Sequence, residues 1–160
     1  MPISTPKIWR DDDPNVYTCV HEFKKLHQKF IDKEITHTVA VTMKDLWQNH
    51  ALFYYLATAP YLDIALHGWE HKDYSLLSYE ECYEDLSRSL VYWEDNASRI
   101  TGTNKIKEIN IFFAPWNRES ENIKEACQNV GLQFCATKKG MWNGYEIKSF
   151  HHWSADNLKL

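Results

Sequence analysis

Ile8-Trp9-Arg10-Asp11-Asp12-Asp13-Pro14 is an apolar run that ends in three consecutive carboxylates and a proline. Adjacent carboxylates repel one another, and a folded chain tolerates that best when a cation shares the site. If the apolar part closes a strand, the carboxylates lie at its C-terminal tip, where α/β folds bind their ligands. Taken alone, the run is better explained as a solvated acidic turn. His67-Gly68-Trp69-Glu70-His71, about fifty-five residues further on, favours a site.

The 160 residues suit a single domain, 1–160, with a core of its own. Hydrophobic residues at 44% and aromatic residues at 14% exclude a disordered chain. A net charge of −4 gives no electrostatic footprint for duplex nucleic acid or an anionic membrane, so neither is expected as a partner. Met1-Pro2-Ile3-Ser4-Thr5-Pro6-Lys7 lacks the apolar segment of a secretory leader, and a cytoplasmic setting is expected, or release by lysis for a phage-borne protein. None of the four cysteines (Cys19, Cys82, Cys127, Cys135) forms a C-x-x-C pair, which excludes zinc-ribbon and thioredoxin chemistry. The composition says nothing about oligomeric state.

Strand-like and helix-like segments alternate along the chain. Lys7–Arg10 reads as a strand, and 16–33 as a helix with Val20, Phe23, Leu26 and Phe30 at three- and four-residue spacing. Thr36–Thr42 is a β-branched strand, 52–59 a short apolar helix closed by Pro60, and Leu62–Leu66 a strand leading into His67. Ser78-Tyr79-Glu80-Glu81 is a capping box that opens a helix ending at Gly102. Ile109–Phe113 is a strand, 120–130 a helix closed by Gly131, Leu132–Thr137 a strand, and Tyr145–Phe150 the last strand, ending in His151-His152. Alternation of this kind implies parallel β/α units, with polar clusters on the far ends of four strands, the layout of a β/α-barrel active face.

His67 and His71 are four apart, and a helical turn would bring both rings to one side of a metal. Two histidines and one aspartate suit one divalent transition metal with open positions, zinc before others. One carboxylate of the run would bind the metal and another would take a proton from water, with His151 or His152 as the acid. Neighbours in a strand point to opposite sides, unless the chain turns at the strand end. No nucleophile elbow, P-loop or dinucleotide fingerprint is present.

Together these segments resemble the polysaccharide deacetylase (NodB-like) family, carbohydrate esterase family 4. Trp9–Pro14 is similar to its first motif, Thr-Phe-Asp-Asp-Gly-Pro, which implies Asp11 as the general base and Asp12 as a metal ligand. His67–His71 is similar to the His-x-x-x-His motif that supplies the other two ligands. Phe112–Asn117 resembles the Arg-x-Pro-aromatic motif, with Trp116 as floor of the pocket and oxyanion donor. Phe150-His151-His152 resembles Leu-x-His and favours His152 over His151 as the acid. The resemblance implies a distorted, incomplete (β/α) barrel with its site at the strand C-terminal ends. It implies metal-assisted removal of N- or O-acetyl groups from a carbohydrate, with Pro115, Trp116, Arg118 and Trp69 at the substrate.

The motifs also depart from the family. Asp13 replaces a glycine. Phe113 stands where the third motif has the arginine that orients the base, leaving Arg10 or Arg118 to substitute. The fourth motif's aspartate has no counterpart near Ala136–Trp142, and Asp63 or Asp156 would have to serve. These departures keep two alternatives open: hydrolysis of another non-peptide C–N bond, and an inactive sugar-binding relative.

Overall fold

The computed structural model describes residues 4–154, 156 and 158–160; Met1–Ile3, part of the N-terminal stretch read above, lie outside the described residues. Seven strands, β1 (Lys7–Asp12), β2 (His37–Val41), β3 (Leu62–Leu66), β4 (Ile111–Phe113), β5 (Gln133–Cys135), β6 (Lys139–Trp142) and β7 (Tyr145–Phe150), form one sheet in the order β5-β4-β3-β2-β1-β7-β6. Every pairing is parallel except β6 with β7. Residues 136–138 join β5 directly to β6, the two ends of that order, and the Trp142 indole N–H donates to the Phe134 carbonyl at 3.1 Å across the seam. The sheet therefore curls into an incomplete barrel, as the motifs implied.

The pleat sorts the strand residues onto two faces. Ile8, Ala40, Ala65, Phe113, Cys135 and Ile147 pack together on the inner face. Val39, Val41, Leu62, Ile64, Leu66 and Phe112 lie on the outer face in the main core, with residues of helices α2 (His50–Thr58), α3 (Tyr79–Thr101) and α4 (Glu121–Val130). Helix α1 (Val20–Lys33) covers Trp9 and Phe150 with Leu26 and Phe30. Parallel strands buried on both faces carry near-continuous apolar runs, and β2 is buried at every position. No helix among the described residues is long and apolar enough to cross a membrane.

Element types follow the sequence closely, and α3 begins at the expected capping box, with both of its hydrogen bonds formed, and ends at Gly102 in the left-handed region. Two readings change. Helix α1 starts at Val20 rather than Val16, because Asn15 ties the chain into a turn: its amide accepts from Tyr17 N–H, and its own N–H donates to Thr18 Oγ1. Strand β6 is additional. Asn143-Gly144, both with positive φ (50° and 84°), forms the tight turn that pairs β6 with β7, and Asn-Gly between two strand-like runs is the sequence signal for it.

Ser78→Ala removes one half of the capping box and is expected to lower stability by about 1 kcal/mol in urea unfolding. An unchanged urea midpoint would show that the cap contributes nothing to the stability of α3.

Candidate metal centre

Strand β1 extends through Asp12, so the alternation of its side chains extends with it. Ile8, Arg10 and Asp12 point into the barrel, whereas Trp9 and Asp11 point outward beneath α1. The chain turns only at Asp13, whose backbone adopts φ 75° and whose N–H donates to the Ala40 carbonyl at 3.1 Å. Aspartate is among the few non-glycine residues that enter this region readily. The turn carries the Asp13 carboxylate to the histidines, with Oδ1 3.0 Å from His67 Nε2 and 3.4 Å from His71 Nε2. Among the described residues these three are the one group arranged to hold a metal ion.

Asp12, the carboxylate expected as the ligand, is not the one that reaches the histidines. Asp12 Oδ2 stays 3.9 Å from His67 Nε2 and is taken up by Arg10. The spacing of the two histidines also acts differently than expected, because residues 67–71 form a bend rather than a helical turn. Gly68 sits at φ 100°, where a Cβ would meet the Tyr74 hydroxyl at 2.1 Å. Asp85, buried on α3, accepts from that hydroxyl at 2.5 Å and from Trp69 N–H at 3.2 Å, and so fastens the bend. Its signal in the sequence is a carboxylate in the apolar stripe of Cys82, Leu86 and Trp93.

The donor set suits a cation. His67 Nδ1 lies 2.6 Å from the Phe113 carbonyl, which can only accept, so Nδ1 carries a ring proton and Nε2 is the nitrogen turned to Asp13. Nε2 lies 3.0 Å from Asp13 Oδ1, a contact that a metal ion or a proton would bridge. Asp13 Oδ1 is buried without a hydrogen-bond partner among the described residues. Burial raises the Asp13 pKa, but His67, His71 and His151 outweigh it and hold the carboxyl below its usual value. Burial first, and the neighbouring His67 second, push His71 below the ordinary value of 6.5.

Arg10 is 1% exposed and sits at the centre of the barrel mouth. Its Nε and Nη2 donate to the two Asp12 oxygens at 2.8 Å each, and Nη1 donates to Asn117 Oδ1 and the Thr137 carbonyl at 2.8 Å. The guanidinium lies 4.4 Å over the Phe113 ring. The position expected to hold an arginine thus carries the ring on which an arginine from β1 rests. Arg118, the other substitute considered, instead pairs with Asp73 at 2.5 Å.

Asp11, expected as the base, is fully buried beneath α1, on the outer face of the sheet. Its Oδ2 meets His37 Nε2 at 3.0 Å, and its Oδ1 accepts from the His152 backbone N–H at 2.9 Å and meets His152 Nδ1 at 3.0 Å. Burial raises its pKa, but the hydrogen bonds to His152 and His37 prevail and lower it. His152 therefore faces the outer layer, where its ring packs against Phe23 at 6.0 Å. His151 follows the inward parity of Ile147 and Ser149 on β7, and it acts electrostatically on Asp13. Of the two aspartates considered for the missing fourth motif, Asp63 is exposed near the opposite, N-terminal end of β3, and Asp156 is exposed on a cavity wall that His152 also lines.

Trp116 is 58% exposed, adopts φ 55°, and its ring lies edge-on 4.3 Å from His71, so it does line the site. Pro115 is buried in the turn beneath it, and Arg118 lies 5.7 Å from its ring. Trp69 does not reach a substrate: it is 8% exposed, packs on Tyr92 and lies under Arg88. Cavities of about 610 and 530 Å³ open on either side of Asp13, and Asn15 and Tyr17 line both.

No family model matches the sequence. No curated protein matches it either. Solved structures do match, and those described here are family 4 carbohydrate esterases or related pseudoenzymes. A family 4 carbohydrate esterase from Bacillus anthracis is 18% identical with a TM-score of 0.70, covering 96% of this chain and 70% of that one. One from Streptomyces lividans, in complex with acetate, is 13% identical with a TM-score of 0.68, covering 94% and 81%. A family pseudoenzyme from Bacillus anthracis is 11% identical with a TM-score of 0.62, and this chain spans 43% of its length. The fold is that of the family 4 carbohydrate esterases.

Asp13→Ala is expected to weaken zinc binding more than about 100-fold, beyond the range for supporting residues, while Asp12→Asn leaves it within about tenfold. Titration calorimetry showing the reverse order would return the ligand role to Asp12. Protons compete with metal for histidine nitrogen, and the lowered His71 pKa delays that competition. Zinc affinity should therefore decline as the solution is acidified, with His71 taking up its proton at lower pH than an ordinary imidazole.

Proposed function

Taking the family 4 carbohydrate esterase fold as premise, we propose that the chain is a metal-dependent deacetylase acting on an acetylated carbohydrate. The observation that carries this is the joining of Asp13, His67 and His71 around one point, with the Arg10-held Asp12 beside them at the barrel mouth. The two histidines and one carboxylate suit zinc with positions left open. Bound there, the metal would supply a Lewis acid that lowers the pKa of water and polarises the acetyl carbonyl.

The chain supplies the remaining groups. Asp12 is the general base, its carboxylate fixed on both oxygens by Arg10, whose own position is set by Asn117 and the Thr137 carbonyl. His151 is the general acid that protonates the leaving amine or alcohol. The Trp116 backbone N–H, at the turn beside His71, is the donor for the developing oxyanion. The exposed Trp116 ring offers an apolar face to the acetyl group or sugar ring.

An inactive sugar-binding relative is the alternative, favoured by the matched pseudoenzyme. Acetate release from N-acetylated chitooligosaccharides or acetylated xylan, measured with zinc-loaded protein, separates the two. Asp12→Asn and His151→Gln are each expected to lower kcat by about 10²–10⁴-fold with metal content unchanged. Full turnover by Asp12→Asn would remove it from the mechanism, and no turnover on any acetylated sugar would favour the binding protein.

A further inference from the structure

The two-residue period of the strands also sets a group of side chains at the other end of the barrel. Ala40, Ala65, Cys135 and Ile147 belong to the apolar layer on the inner face. Two residues earlier on the same strands stand Thr38, Asp63, Gln133 and Tyr145, which therefore face inward one step nearer the N-terminal mouth. Thr38 and Asp63 are direct partners across β2 and β3. A cavity of about 680 Å³ opens here, lined by these side chains and by Trp142. Ile8 and Ala65, also at the cavity, belong to the apolar layer that lies between it and Arg10.

Parallel β/α barrels ordinarily fill their interior with bulky apolar side chains. Here polar groups stand in that place, and none of the side chains of Thr38, Asp63, Gln133 and Tyr145 hydrogen-bonds to another described residue. Thr38 is the telling member. It is only 7% exposed, a depth at which a hydroxyl ordinarily has a partner, and its side chain points into the cavity. The rest of the lining selects what would meet it. Trp142 is fixed by its indole N–H on the Phe134 carbonyl, and it pairs with Tyr145 across β6 and β7, so two aromatic side chains stand together. The carboxylate, the amide and the hydroxyls offer both donors and acceptors. Lys7 and Lys107 at the cavity offset Asp63 and Glu108, so the lining does not call for a charged ligand. A pyranose ring has an apolar C–H face for the aromatic pair and a belt of hydroxyls for the polar groups.

We propose that the N-terminal mouth of the barrel is a second binding site, for a neutral pyranose unit of a saccharide, separate from the metal centre and without a catalytic role. The ring lies against Trp142 and Tyr145, and its hydroxyls bond to Asp63, Gln133 and the buried Thr38 hydroxyl. The cavity volume falls within the range of roughly 300–1,000 Å³ usual for small-molecule sites. The apolar layer keeps such a ligand from the metal, so the proposal does not rest on the deacetylase reading.

The test is solution NMR of the full, zinc-loaded chain labelled with ¹⁵N-tryptophan, titrated with cellotetraose, xylotetraose and N-acetylglucosamine. The Trp142 indole signal is expected to shift saturably with at least one of them, at a Kd on the order of 1 mM. A Trp142 signal that none of them moves, or shifts confined to Trp116 and Trp153 at the metal end, would overturn the site. A response to glucose 6-phosphate alone would overturn the assignment to a neutral ligand. Thr38→Val removes a hydroxyl that has no protein partner, so the fold should keep its thermal midpoint while the saccharide affinity falls about fivefold, the loss of one hydrogen bond. Gln133→Ala, at an exposed position, should weaken binding by a similar factor. Unchanged affinity in both variants would contradict the proposal. Acetate release by Thr38→Val should equal that of the unsubstituted chain, so failure of this site and failure of the deacetylase reading are told apart.

Discussion

The two-residue period of β1 is the constraint on which the site depends. Because the strand runs regularly to Asp12, three adjacent carboxylates are sent in three directions: Asp11 outward under α1, Asp12 into the barrel, and Asp13 back toward the histidines through a left-handed turn. Each then meets a different positive or proton-bearing partner. Asp11 has His37 and His152, Asp12 has Arg10, and Asp13 faces His67 and His71. The repulsion expected of an acidic run is relieved by dispersal over two faces of one sheet, with a candidate cation site at its tip.

The Arg10–Asp12 pair shows what this arrangement costs and secures. Arg10 is nearly fully buried, and a buried ion pair contributes little net stability, although removing one partner typically costs about 3–5 kcal/mol. Its merit lies in geometry. The two-toothed contact fixes the plane of the Asp12 carboxylate, and Phe113, Asn117 and the Thr137 carbonyl occupy the rest of the guanidinium. Small residues on the inner face, Ala40 and Ala65, leave room for it inside a narrow barrel.

Much of the fold was legible in the sequence, because apolar periodicity and helix caps are local signals. The strand Leu62–Leu66, the capping box at Ser78 and the closing glycines at 102 and 131 stand where they were expected. The convergence of His67, His71 and Trp116 was legible, since each follows a strand end. The assignment within the acidic run was not: it turned on whether β1 ends before or after Asp12, and a shift of one residue exchanges the two faces. The same one-residue question on β7 separates inward His151 from outward His152. Asn117, Asp85 and His37 were missed because their partners lie far away in sequence, so only the fold brings them together.

The low identity of the matched structures makes the chain's own geometry the main support for its chemistry, since the fold is shared by esterases and by a pseudoenzyme. The most direct test of that geometry is a crystal structure of zinc-loaded protein with the ion placed by anomalous scattering. One ion bound by Asp13 and by Nε2 of both His67 and His71, with Asp12 still seated on Arg10, is the result this account predicts. An ion held by Asp12 with Arg10 displaced, or an ion bound away from these histidines, would contradict it.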